Sequence, residues 1–113
     1  MKKIAIITPT YNDVHRLKVI LPKIKHWLIN TKINYEVEMF IINDGGSEVD
    51  LIKHVKKYNF NYLNKKNTGL MDTLIYGMKN IDADFYLTLT SDMPVDINNL
   101  DNFVNYINDY DIV

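Results

Sequence analysis

Short runs rich in β-branched and aromatic residues alternate along the chain with stretches of helical spacing, and this alternation narrows the possible folds to a small group. "KKIAIIT" (Lys2 to Thr8) reads as a buried strand ended by Pro9. From Asp13 onward, Leu17, Ile20, Leu21, Ile24, Trp27 and Leu28 fall on one helical face. Pro22 lies inside that stretch and is expected to kink it or divide it. "YEVEMFII" (Tyr35 to Ile42) reads as a second strand, stopped by the turn residues "NDGGS". A helix near Glu48 to Tyr58 and a third strand, "NFNYL" (Asn59 to Leu63), follow. Leu70, Leu74, Ile75 and Met78 give the third helix its expected apolar face. "DFYLTLT" (Asp84 to Thr90) is the fourth strand. Asp96 is placed to cap a helix with Ile97, Leu100, Phe103, Val104 and Ile107 on its inner face. The closing "YDIV" looks like the start of a fifth strand. Strands and helices in this order imply βαβ units, hence an α/β fold with a mostly parallel sheet flanked by helices.

A chain of 113 residues without repeats or linkers is expected to form one domain over residues 1–113. Its net charge of -1 supplies no global field toward nucleic acid or an anionic membrane. No stretch approaches the roughly 20 apolar residues that span a bilayer. The absence of cysteine excludes a thiolate metal site and fits a cytoplasmic location.

In an open parallel sheet, ligands bind beyond the carboxyl ends of the strands. Four loops fall there: "TPTYND", "NDGG", "KKNTG" and "TSDMPVD". They hold hydroxyls, amides and carboxylates suited to polar ligands, although βα loops also use such residues for turns and caps. Asp44 is equally at home as a turn former. Asp13 and Asp96 read as helix N-caps, and Lys65 and Lys66 as solvated loop charges. No phosphate-binding glycine loop, dinucleotide fingerprint, zinc helix or nucleophile elbow is present. A response-regulator-like domain would need an acidic cluster after the first strand and an Asp after the third. Neither is supplied.

The segments "IAIITPTYND", "IINDGGS", "KKNTG" and "FYLTLTSD" resemble, in order and spacing, the nucleotide-sugar-binding half of family 2 glycosyltransferases. The likeness runs from Lys3 to the last residue and is most similar to the polyprenyl-phosphate sugar transferases. It implies a Rossmann-like GT-A half and a UDP- or GDP-sugar donor. In that resemblance Pro9, Thr10, Tyr11 and Asn12 form the loop along the nucleoside. Asp44, followed by Gly45, corresponds to the acid that accepts from the base N–H. Asn67 and Gly69 correspond to the loop under the ribose. Thr90, Ser91 and Asp92 stand where the family has Asp-x-Asp, whose acids hold Mg²⁺ or Mn²⁺ on the donor diphosphate.

Three departures qualify the likeness. Thr90 replaces the first acid, leaving Asp92 as the single expected metal ligand. Asn43 replaces the first acid of Asp-Asp-Gly-Ser, and the extra Gly46 is expected to loosen that turn. Asp72 follows the third loop, where its charge would oppose a diphosphate. The family's catalytic base and acceptor-binding half lie beyond the position of Val113. The expectation is therefore a donor-binding part, truncated before the acceptor half and completed by further chain or a partner. The alternative is a catalytically degenerate binding or regulatory module of the same fold. An unpaired sheet edge would favour a homo-oligomer.

Overall fold

The computed structural model describes residues 1–46, 50–91 and 99–105. The elements run β1 (Lys3–Thr10), α1 (Val14–Asn30), β2 (Glu36–Asp44), α2 (Leu51–Lys57), β3 (Asn61–Lys65), α3 (Leu70–Asn80), β4 (Phe85–Thr88) and α4 (Leu100–Asn105). The strands form one parallel sheet of order β3-β2-β1-β4. The α/β class and parallel sheet are as expected. The expected cap at Asp96, the helix start at Ile97 and the "YDIV" strand lie outside the described residues.

Strand alternation divides the core between two faces. Ile4, Ile6, Met39 and Ile41 pack with Leu17, Ile20, Leu21, Ile24 and Trp27 of α1, Leu51 and Val55 of α2, and Val104 of α4. Ala5, Ile7 and Ile42 project to the opposite face, where they meet α3 and Ile81. Right-handed crossovers explain this division. The chain steps in one direction from β1 to β2 to β3, so α1 and α2 share a face. It then returns past β1 to reach β4, which puts α3 on the other side. Trp27 is a core residue, 5% exposed, and its indole N–H donates to Asp101 at 2.9 Å, fastening α4 to α1.

Two prolines behave differently from their sequence expectation. β1 runs through Pro9 to Thr10 instead of ending at Thr8. Backbone groups of Lys3 and Ile7 bond toward β4, so odd-numbered residues of β1 face that neighbour. The β1–β4 register ends at Ile7 and Thr88. The missing N–H of Pro9 therefore points where no ladder continues, and pairing with β2 persists to Thr10. Pro22 sits inside one continuous helix of 17 residues. It is exposed, as is Lys18 one turn earlier, so water can satisfy the carbonyl that Pro22 leaves without a donor.

The inner face of α3 also differs. Its buried residues are Thr73 and Gly77, one turn apart, with Leu74 half-buried beside them. Leu70, Ile75 and Met78, expected inside, are 55%, 42% and 45% exposed. A Cβ on Gly77 would lie 2.8 Å from Ile42 Cδ1 and 3.0 Å from Ile7 Cδ1. Close approach to the sheet through a small residue sets the rotation of α3 and turns its larger side chains outward.

Candidate functional site

β1 lies between β2, where the chain winds one way, and β4, where it has reversed. Such a switch point opens a crevice at the carboxyl ends of the strands. A cleft of about 300 Å³ lies there, lined by Pro9, Thr10, Tyr11, Asp13, Arg16, Asp44, Leu70, Thr90 and Ser91. Five expected site residues are thus brought together: Pro9, Thr10, Tyr11, Asp44 and Ser91. Asn12, Gly45, Asn67 and Gly69 do not line the cleft but shape the loops behind it. Asp92 lies outside the described residues.

Asp13, Arg16 and Leu70 line the cleft without having been singled out for it. Asp13 occupies the N-cap position of α1 but makes no side-chain cap bond. Its Oδ2 instead accepts from Ser91 Oγ at 2.9 Å, tying the loop after β1 to the residues after β4. A cap motif in the sequence cannot reveal that competing partner, 78 positions away. Arg16 did carry a signal, because it is the sole arginine among thirteen basic residues.

Asp44 is the electrostatic centre of the supporting loops. It is 5% exposed and lies on the α3 side of β2. Its Oδ1 accepts from Lys65 Nζ at 2.8 Å and from Thr68 N–H at 3.0 Å, and its Oδ2 from Gly69 N–H at 3.0 Å. Burial alone would raise its pKa. The Lys65 ammonium, the Thr68 and Gly69 N–H groups and the Thr73 hydroxyl outweigh burial and hold the carboxyl below its ordinary value. Lys65 is no solvated loop charge, since its side chain is 9% exposed. Its ammonium also donates to Lys66 O at 2.7 Å and to Thr68 Oγ1, giving three acceptors for three N–H bonds. Asp72 is exposed on the first turn of α3, where an acid favours the helix dipole, and it does not line the cleft.

Asn43 and Gly46 overturn the expectation of a loose turn. Gly46 N–H donates to Asn43 Oδ1 at 2.9 Å, and Asn43 Nδ2 donates back to Gly46 O at 2.9 Å. The same Nδ2 lies 3.1 Å from both Tyr62 Oη and Asn64 Oδ1. An amide serves here because the position needs a donor and an acceptor together.

Gly45 has φ of +80° and faces Asn67. A Cβ there would stand 2.6 Å from the Asn67 backbone nitrogen and 2.7 Å from its Cβ. Backbone of the β3–α3 loop cannot yield cheaply. Gly45→Ala is expected to destabilise the protein by about 2 kcal/mol or more through left-handed strain plus this collision. Urea unfolding measures it, and a loss below about 0.5 kcal/mol would show that the loop moves aside. Gly69 has φ of +102° with open space where its Cβ would be, so its requirement comes from the backbone conformation.

The parallel sheet, its switch-point crevice and the polar loops around it define a Rossmann-like α/β fold with a polar cleft at the carboxyl edge of the strands. Residues 5–113 match the family model described as Glycosyl transferase family 2, and the chain belongs to that family. Membership carries a glycosyltransferase-like function with donor and acceptor binding, and members typically use divalent metals. Among curated proteins, none matches the chain. Among the described residues, no helix is long and apolar enough to cross a membrane.

A hard divalent ion takes carboxylate, phosphate and water oxygens. Among the described residues, no three acids or histidines cluster to hold one. Asp44 does not suit the task, because Lys65 already neutralises it. Asp13 is not engaged in an ion pair among the described residues, and its carboxylate accepts from Ser91, the residue preceding Asp92.

Proposed function

We propose that the cleft binds a nucleotide-diphosphate sugar, UDP- or GDP-linked, with Mg²⁺ or Mn²⁺ for transfer of the sugar to an acceptor. The observation that carries this reading is the convergence of Pro9, Thr10, Tyr11, Asp44 and Ser91, from three separate loops, on one cleft at the switch point of a family 2 chain. In this reading the loop from Pro9 to Asn12 lies along the nucleoside. Asp44 accepts from the base with lone-pair capacity left after its protein bonds. Asn67 and Gly69 pass under the ribose. Asp92 holds the metal, joined by Asp13. When bound, the ion neutralises charge developing on the leaving diphosphate.

Calorimetry with UDP and GDP, each with and without Mn²⁺, tests this reading. Binding of one nucleotide, tightened by the metal, is the expected result. Asp92→Ala should remove the tightening while leaving the thermal midpoint unchanged. No binding of either nucleotide would sink the proposal, and an unchanged metal response in Asp92→Ala would sink the metal assignment.

For the acceptor, a polyprenyl phosphate suits the surface beside the cleft. Leu70 lines the cleft, and Met71, Ile75 and Met78 continue an exposed apolar stripe along α3. A second reading, a binding module without catalysis, is favoured by Asn43, which braces its turn in place of the family's acid. Nucleotide binding indifferent to metal, without sugar transfer, would select it.

A further inference from the structure

We infer that Arg16 and Thr10 form a phosphate seat of their own at the start of α1, one that holds the donor diphosphate without requiring a metal ion. The inference rests on the donor reading above, adds Arg16, which the family motifs do not mark, and gives the Thr10 hydroxyl a phosphate oxygen as its partner. Arg16 lies in the first turn of α1, near the positive end of a 17-residue helix. A cation there is unfavourable for the helix, and the acid beside it, Asp13 at the N-cap, is bonded to Ser91 and makes no cap bond. A residue that breaks a local rule in this way points to a role outside the helix.

Of the acids that line the cleft, Asp44 is paired with Lys65, and Asp13 bonds Ser91 and forms no ion pair with Arg16 among the described residues. Among the described residues, the Arg16 guanidinium makes no ion pair, and its side chain is exposed at the cleft. Thr10 supplies the second, independent observation. It is 3% exposed, lines the cleft, and its hydroxyl has no hydrogen-bond partner among the described residues. Even-numbered residues of β1 project toward α1, so Thr10 faces the side that carries Arg16. A buried hydroxyl without a partner is costly. Thr8, on the same face of β1, shares that state, but only Thr10 of the two lines the cleft. There, rotation about χ1 lets Thr10 donate to a phosphate oxygen. The planar guanidinium offers the bidentate fork that fits phosphate, which none of the twelve lysines can imitate. With Thr90 in place of an acid, a cation on this side of the cleft supplies charge that the metal site holds less strongly.

The test measures binding of inorganic pyrophosphate, UDP and GDP by calorimetry, in EDTA and again in Mg²⁺, for the parent, Arg16→Gln, Arg16→Lys and Thr10→Val. Pyrophosphate is expected to bind the parent in EDTA. Arg16→Gln should weaken it about tenfold or more, Arg16→Lys should recover only part, and Thr10→Val should weaken it several-fold. Thermal midpoints are expected to hold or rise in the Arg16 variants, which separates lost binding from lost folding. Equal pyrophosphate binding by the parent and Arg16→Gln overturns the inference, as does parent binding that appears only with Mg²⁺. If pyrophosphate binding depends on Arg16 while neither nucleotide binds, the phosphate seat stands and the donor reading falls.

Discussion

Lys65→Met is expected to lower stability by about 3–5 kcal/mol at neutral pH, because it strands the Asp44 carboxylate in a buried site. Both side chains of the pair are less than one-tenth exposed, at 9% and 7%. The Thr68 and Gly69 N–H groups would still bond Asp44, but a full negative charge would be left without its cation. The effect has a pH signature. In the parent, Asp44 has a lowered pKa, so its contribution is complete above the ordinary aspartate value and is lost as pH falls through the lower, folded value. Without Lys65, the burial effect gains weight and the folded pKa rises. The gap between parent and variant should therefore be widest near pH 7 and narrow on acidification. Urea unfolding at pH 7 and at pH 4 measures both features. A gap independent of pH would mean that lost packing on Tyr76, whose ring centre lies 5.9 Å from Lys65 Nζ, dominates over charge.

Asn43→Asp restores the acid that family 2 usually has at this position, yet it is expected to destabilise this chain by about 3 kcal/mol. Asn43 is 4% exposed and donates toward Gly46 O, with Tyr62 Oη and Asn64 Oδ1 also in reach. A carboxylate would place its second oxygen against two of those acceptors without a proton to share. Gly46 N–H and the Tyr62 hydroxyl, turned to donate, would remain as its donors, while Gly46 O and Asn64 Oδ1 would oppose it. Burial would push the new carboxyl above its ordinary pKa. The penalty should thus be small at acid pH and grow as pH rises through that elevated value. Thermal unfolding across pH 4 to 8 checks the direction. A variant as stable as the parent at pH 7 would show that the turn has another stable arrangement. Asn64→Ala combined with Asn43→Asp should recover part of the loss by removing one opposing oxygen.

The elements themselves were legible because each is written locally. Runs rich in β-branched and apolar residues marked β1 and β2, helical spacing marked α1, and the polar loops fell at the strand ends as the βαβ rule requires. Boundaries shifted where a tertiary partner ruled. β3 begins at Asn61, with Asn59 before it in a left-handed turn, while Phe60 is drawn into the core. The face of α3 was misassigned because periodicity weighs side-chain size. The sheet selected Thr73 and Gly77 for closeness instead, leaving Leu70, Ile75 and Met78 outside. The sequence places Asp13 at a cap position because it shows only local partners, and Lys65 in a polar loop because its partner stands 21 positions earlier.

By itself, then, the sequence determined the α/β class, the parallel sheet and the strand ends at which ligand groups would gather. Those follow from hydrophobic period and chain connectivity, which are properties of neighbouring residues. Only the tertiary structure decided which polar groups are committed to one another and which face the cleft. Asp44 became one half of a buried ion pair, Asn43 a brace and Gly45 a point of close passage. Arg16 was left facing the cleft, with no ion pair among the described residues. Hydrogen bonding and charge pairing act between loops distant in sequence, so their outcome depends on strand order and register.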